Sequence, residues 1–103
     1  MSTKKSAAIR SLEKRTGGPV TFGGFIEAVR LGEELTQAAF AKRLGISKSH
    51  LNDIEKARKS VSPDRAARFA DILGYSQARF VKLALQDLLD RSGLLLHVDV
   101  KAA

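Results

Sequence analysis

Apolar residues recur at helical spacing along most of the chain. The first such stretch has the i, i+3, i+4, i+7 spacing of a buried helical face: Phe22, Phe25, Ile26 and Val29. It predicts a helix over residues 22–34. Similar apolar stripes predict four more helices, over residues 37–44, 48–57, 63–73 and 77–92. The sequence therefore predicts a mainly α fold with five helices.

Residues typical of helix ends separate these stripes. The last four predicted helices each follow a side chain that can cap a helix start: Thr36, Ser47, Ser62 and Ser76. Glycines follow three of the helices: Gly45, Gly74 and Gly93. Only the segment "GIS" separates the second and third helices, so this turn fixes the angle between them.

Near the C-terminus the period changes from helical to alternating. One side of the segment "LLLHVDV" is apolar: Leu94, Leu96, Val98 and Val100. This is the period of a half-buried β-strand, and the sequence contains no second strand to pair with it. Its backbone groups therefore need a partner outside the chain, most simply the same strand of a second copy related by a two-fold axis. Leu85 and Leu89, on the fifth predicted helix, complete the predicted dimer contact.

Three segments follow from this pattern: a basic, flexible arm over residues 1–21, a helical domain over residues 22–92, and a C-terminal dimerisation strand and tail over residues 93–103. The formal net charge of +7 favours a polyanionic partner, although the ribosome, a membrane surface or an acidic protein also fits. Residues 1–21 hold five basic side chains and one acidic side chain. The charge alone therefore says little about the domain.

Most enzyme chemistry has no support in the sequence. The absence of cysteine excludes disulfides and thiolate metal sites, and no apolar stretch is long enough for a membrane span. His50 and His97 lack neighbouring ligands at metal spacing, and Ser47, Ser49 and His50 crowd one helical turn, which cannot arrange a catalytic triad. We therefore expect a cytoplasmic protein that is not an enzyme and has no catalytic residue, no metal site and no cofactor.

The two short helices around "GIS" form a helix-turn-helix pattern, in which the second helix is held out from the domain. The pattern "R...LTQ..FAKRLGIS.S.L..IE" resembles the lambda-repressor-like, Cro/C1-type helix-turn-helix proteins over about residues 22–76. The resemblance implies a five-helix DNA-binding domain whose third helix enters the major groove of double-stranded DNA.

The resemblance also implies roles for individual residues. Those at or beside the base-reading positions of the third helix are Lys48, Ser49, His50, Asn52 and Asp53. Lys48 could donate to guanine, and Asp53 could accept from the N4 group of cytosine. The residues placed for phosphate contact are Gln37, Arg43, Lys56, Arg58 and Lys59.

Arg30 and Glu55 support the resemblance by a separate argument. Each follows an inward-facing apolar residue by one helical turn, and a half-buried carboxylate needs a partner such as an Arg. We therefore expect an ion pair between them.

Ala57 departs from the family pattern, which usually has glycine at this helix end. The departure leaves the path of the following "RKS" segment open.

Two classes of function fit these features. The first is a sequence-specific transcriptional regulator, expected to be a repressor, which binds a palindromic operator as a homodimer. A narrower form is an antitoxin of a toxin-antitoxin operon, similar to Hip-type antitoxins, with a toxin as its protein partner. The alternative is a protein-interaction adaptor that uses the helical scaffold without reading DNA.

Overall fold

The computed structural model describes residues 21–103, and within this range it forms five α-helices and no β-strand. The helices are α1 (Phe22–Gly32), α2 (Gln37–Leu44), α3 (Lys48–Glu55), α4 (Pro63–Leu73) and α5 (Gln77–Arg91). The predicted mainly helical class is therefore confirmed. Residues 1–20, which include nearly all of the predicted arm, lie outside the described residues.

The described chain divides into two compact units. The first ends at Lys59 and holds α1 to α3, and the second begins at Ser60 and holds α4 and α5. In the first unit α3 packs against both α1 and α2. In the second unit α4 and α5 pack on each other. The helix-turn-helix pattern, formed by α2 and α3, thus lies within the first unit.

Large apolar side chains are buried in both units. The first unit buries Phe22, Phe25, Ile26, Val29, Phe40, Leu51 and Ile54, and the second buries Val61, Phe69, Leu73 and Phe80. Burying one such side chain contributes about 1.5–3 kcal/mol to stability. The rings of Tyr75 and Phe80 also lie 5.2 Å apart at their centroids. The apolar stripes of the sequence therefore do supply the core.

Gly23 lets α1 approach the C-terminal end of α3 closely. A β-carbon at this position would overlap the carbonyl oxygen of Ile54. The absence of a side chain is therefore required for this helix packing, and the conformational freedom of glycine plays no part in it.

Helix starts agree with the capping residues of the sequence in most cases. The hydroxyls of Thr36, Ser47 and Ser76 accept hydrogen bonds from the backbone three residues later. Ser62 makes no such bond. Its hydroxyl bonds to the carboxylate of Asp64, which holds the pKa of that exposed group below its usual value.

All five helices of residues 21–103 end in the same hydrogen-bonded turn, the Schellman motif. A backbone N–H bonds back to the carbonyl five residues earlier at Leu35, Ile46, Arg58, Tyr75 and Leu94, with distances of 2.8–3.2 Å. The residue before each of these has a left-handed backbone: Glu34, Gly45, Ala57, Gly74 and Gly93. Because a left-handed residue cannot continue an α-helix, the predicted ends of α1 at residue 34 and of α3 at residue 57 are wrong by two residues. The predicted end of α5 at residue 92 is wrong by one residue.

The predicted C-terminal strand does not form within the single chain. Leu94, Leu95 and Leu96 are exposed, and a strand needs a neighbouring strand that the described residues do not supply. Side chains of α5 contact the segment instead. Gln86 Nε2 donates to the Leu96 carbonyl at 2.7 Å, and Gln86 Oε1 accepts from the Val98 N–H at 3.0 Å. Lys82 Nζ also lies 4.0 Å from the carboxylate of Asp99. The amide of Gln86 thus takes the place of one strand neighbour.

We expect Gly23→Ala to destabilise the protein by about 1–3 kcal/mol, because the new methyl group must displace α1 from α3. Helix propensity alone predicts the opposite sign, a gain of about 1 kcal/mol. Thermal and denaturant unfolding followed by circular dichroism measures the difference. An unchanged or raised stability would contradict the close approach.

We expect Ala57→Gly to stabilise the protein by about 1 kcal/mol, since alanine is strained at its backbone φ of 60° and glycine is not. Gly45→Ala makes the reverse change at the same position of the α2 turn, where an added β-carbon meets no atom within 4 Å. It should cost about 1 kcal/mol by backbone strain alone. Denaturant unfolding of both variants checks the opposite signs.

Candidate nucleic-acid interface

The turn between α2 and α3 is built from short local contacts. Gly45 has a left-handed backbone, and the N–H of Ile46 donates to the carbonyl of Ala41 at 3.0 Å. The Ser47 hydroxyl then accepts the N–H of His50 at 3.0 Å and begins α3. All three residues of the turn, Gly45, Ile46 and Ser47, are constrained in this way. The turn therefore sets the direction of α3 relative to α2.

The predicted base-reading residues lie on the half of α3 that is not buried. Leu51, Ile54 and Glu55 form the buried half. On the other half Lys48 and Ser49 are exposed, in the first turn of the helix. The remaining three candidates, His50, Asn52 and Asp53, are half-buried. The N-terminal turn of α3 is therefore its most accessible polar part.

The buried Glu55 carboxylate joins α1, α2 and α3. Arg30 of α1 donates to it twice, from Nε to Oε2 at 2.7 Å and from a terminal nitrogen to Oε1 at 3.1 Å. The Glu55 side chain is fully buried and that of Arg30 is 12% exposed. Glu55 raises the pKa of Arg30 above its already high ordinary value, chiefly through these hydrogen bonds, so the guanidinium stays charged.

Gln37, the first residue of α2, links this ion pair to the open side of α3. Its Nε2 donates to Glu55 Oε1 at 3.0 Å and to Asn52 Oδ1 at 3.2 Å. The bond from Gln37 orients the side-chain amide of Asn52. The N–H groups of this amide then lie on the side away from its bonded oxygen. Asn52 is thus positioned by α2 as well as by α3.

Asp53 lies against two of the predicted phosphate-contacting residues. Its carboxylate oxygens are 3.4 Å from a terminal nitrogen of Arg58 and 3.7 Å from Nζ of Lys59. Its backbone carbonyl also accepts the N–H groups of Arg58 and Lys59, at 2.8 and 3.3 Å. Asp53 therefore holds the segment after α3 by both its side chain and its backbone.

The other predicted phosphate residues are more scattered. Arg43 pairs with Glu33 at 3.3 Å, and Lys56 is exposed at the end of α3. The structure brings Gln37 next to Asn52, and Arg58 and Lys59 next to Asp53, but it places Arg43 in a separate pair. The predicted dimer residues Leu85 and Leu89 are half-buried on α5.

Sequence reasoning missed the link from Gln37 to Asn52 and the pairing of Asp53. The second could have been found, because a Schellman motif brings together the side chains three positions before and two positions after its helix cap. Asp53 and Arg58 have this spacing around Lys56. The first has no sequence signal, because Gln37 and Asn52 belong to different helices.

Residues 21–103 contain no group of three or more side chains arranged to hold a metal ion. Among the helices of this range, none is both long and apolar enough to cross a membrane.

Comparison with known proteins places the chain in a family. A family model described as a helix-turn-helix domain matches residues 21–83, well over half of the 103 residues. No curated protein and no solved structure matches the chain. The matched range contains α1 to α4 and the start of α5, including the motif of α2 and α3. The chain therefore belongs to the helix-turn-helix domain family, in the Cro/C1-type group that its sequence resembles.

Proposed function

We propose that this protein is a sequence-specific DNA-binding regulator that represses transcription by occupying a palindromic operator as a homodimer. The observation that carries the proposal is the arrangement of α3 in a chain of the helix-turn-helix family. One half of the helix is anchored in the core, and the accessible half carries polar side chains and is followed by basic residues. This is the arrangement that a recognition helix needs in the major groove.

The first turn of α3 is the proposed base-reading part. Lys48 and Ser49 are exposed there, and the positive end of the helix dipole favours a nearby phosphate. Asn52, one turn later, offers amide donors and is held in place by Gln37. Fixed donors give base discrimination because a wrong base leaves them without an acceptor.

The proposed phosphate contacts surround this helix. Gln37 lies at the N-terminus of α2, and Lys56, Arg58 and Lys59 follow α3. Arg43 is a further candidate on α2. Contacts of this kind orient the protein on the duplex and carry no sequence information by themselves.

The dimer is proposed to form through residues 94–100. Gln86 binds the Leu96 carbonyl and the Val98 N–H, which lie on the same edge of an extended segment. The groups of Leu95 and His97 then lie on the opposite edge, and within residues 21–103 they form no hydrogen bond. An antiparallel copy centred on His97 would fill that edge and place Leu96 opposite Val98 of the second copy.

An antitoxin role is a narrower form of this proposal. It rests on the resemblance to Hip-type antitoxins together with exposed apolar residues that suit a protein partner, Leu94, Leu95 and Leu96. The same residues favour the second candidate, a protein-interaction adaptor. Co-purification with the product of a neighbouring gene would support the antitoxin role.

The regulator proposal predicts that the protein selects a two-fold symmetric motif from a random pool of duplexes at near-physiological salt, where nonspecific binding is weak. Lys48→Ala should then change the preference at one base position by about 1–3 kcal/mol. Lys56→Ala is the matched control, because it removes the same charge at the other end of α3 and should weaken all sequences alike. Equal losses for both variants on every duplex would contradict the assignment of Lys48. A folded protein that enriches no motif would favour the adaptor.

The dimer proposal predicts that His97→Pro converts the protein to a monomer, because proline removes the N–H on the open edge of the segment. Ala102→Pro is the control, since Ala102 is exposed and lies beyond the proposed pairing. Light scattering and sedimentation measure the mass of each variant. If His97→Pro stays dimeric, the strand pairing is wrong and the interface must be sought elsewhere, first at Leu85 and Leu89 of α5.

A further inference from the structure

The end of α3 differs from the other four helix ends. The residue that closes the Schellman motif is apolar or aromatic in four of them: Leu35, Ile46, Tyr75 and Leu94. In α3 it is Arg58. The motif brings this side chain next to the one five residues earlier, where an apolar contact usually forms. In α3 the contact is the ion pair of Arg58 with Asp53.

The carboxylate of Asp53 is unfavourably placed with respect to the dipole of α3. It lies in the last turn, which contains no basic residue, and a carboxylate there opposes the helix dipole. Its side chain contacts the two cations of the following segment: Arg58 lies near one carboxylate oxygen and Lys59 near the other. Arg58 and Lys59 are otherwise well exposed, by 63% and 59%, whereas Asp53 is 25% exposed.

We propose that Asp53 occupies, in the unbound protein, the place of a DNA phosphate against Arg58 and Lys59, and thereby limits binding to DNA of unrelated sequence. The inference rests on the proposed DNA-binding function. Carboxylate and phosphate oxygens compete for the same guanidinium and ammonium donors. Each exposed ion pair favours the paired state by only about two- to fivefold, so a duplex can displace Asp53 at a measurable cost.

The exchange couples phosphate contact to base reading. When phosphates take Arg58 and Lys59, the released carboxylate loses both of its cations. Beside cytosine it gains the N4 donor, whereas beside the acceptor edges of guanine it gains no partner and is repelled. The cost of releasing Asp53 is therefore offset only at a matching base pair, which turns part of the phosphate affinity into sequence discrimination.

The test compares Asp53→Asn with wild type on a mixed-sequence duplex and on the operator selected from the random pool, over a series of salt concentrations. Asp53→Asn should bind the mixed-sequence duplex about three- to tenfold more tightly, and its salt dependence should be steeper by about one unit of logarithmic slope. The ratio of operator to mixed-sequence affinity should fall. Asp53→Glu keeps the charge and should bind the mixed-sequence duplex nearly as weakly as wild type.

Two controls separate the exchange from a simple change of net charge. Asp71→Asn removes an equally negative side chain whose carboxylate is bound by Gln77 and, among residues 21–103, pairs with no cation. It should change nonspecific binding less than Asp53→Asn. In a protein that carries Arg58→Gln and Lys59→Gln, Asp53→Asn should raise the affinity for the mixed-sequence duplex no more than Asp71→Asn does. Thermal melting confirms that each variant is folded.

Some outcomes would overturn the inference. One is that Asp53→Asn raises the affinity for the mixed-sequence duplex as much without Arg58 and Lys59 as with them. Asp53 would then act only by repelling the negatively charged DNA at long range. Another is no gain at all in the wild-type background. If the folded wild-type protein binds neither duplex, the proposed DNA-binding function fails and the inference fails with it. A protein that binds DNA but gains nothing from Asp53→Asn contradicts only the inference.

Discussion

The buried carboxylate of Glu55 is the interaction on which the helix-turn-helix unit depends. A charge inside a protein is costly unless its oxygens are fully bonded, and removing the partner of a buried ion pair typically costs about 3–5 kcal/mol. Glu55 meets this requirement only when α1 supplies Arg30 and α2 supplies Gln37. The apolar core holds these helices together without dictating their detailed position, whereas bonds of 2.7–3.1 Å to one carboxylate do.

The same constraint connects the core to the accessible side of α3. Gln37 uses one nitrogen to bind the buried Glu55 and the half-buried Asn52. A change in the packing of α1 on α3 would therefore alter the position of Asn52 through Arg30, Glu55 and Gln37. Side chains with such support hold their geometry better than side chains placed by their own helix alone. Within the described part of the chain no comparable side-chain bond supports Lys48 or Ser49, and the N-cap at Ser47 positions their turn.

The parts of the structure that were predictable from sequence are those set by local periodicity and by residues close in the chain. The apolar stripes and the caps at Thr36 and Ser47 placed α2 at its observed bounds and the starts of the other helices correctly. The ends of α1 and α3 were misplaced because Glu34 and Ala57 are residue types that, unlike glycine, do not indicate a left-handed backbone. The alternation after Gly93 indicated an extended segment, but pairing depends on a second chain, and the contact with Gln86 depends on how the segment lies along α5.

The C-terminal end of α3 concentrates departures from local preference. Ala57 adopts a left-handed backbone that costs about 1 kcal/mol, Asp53 opposes the helix dipole, and an ion pair replaces the usual apolar contact of the turn. Glu34 shows that one such departure also occurs at the end of α1, so a strained residue alone does not mark a functional site. At α3 the three departures occur together: the turn at Ala57 brings Arg58 back beside Asp53, where Arg58 stays well exposed and Asp53 is half-buried. Natural sequences accept local disadvantages of this kind where function needs a particular surface, and here that surface flanks the proposed recognition helix.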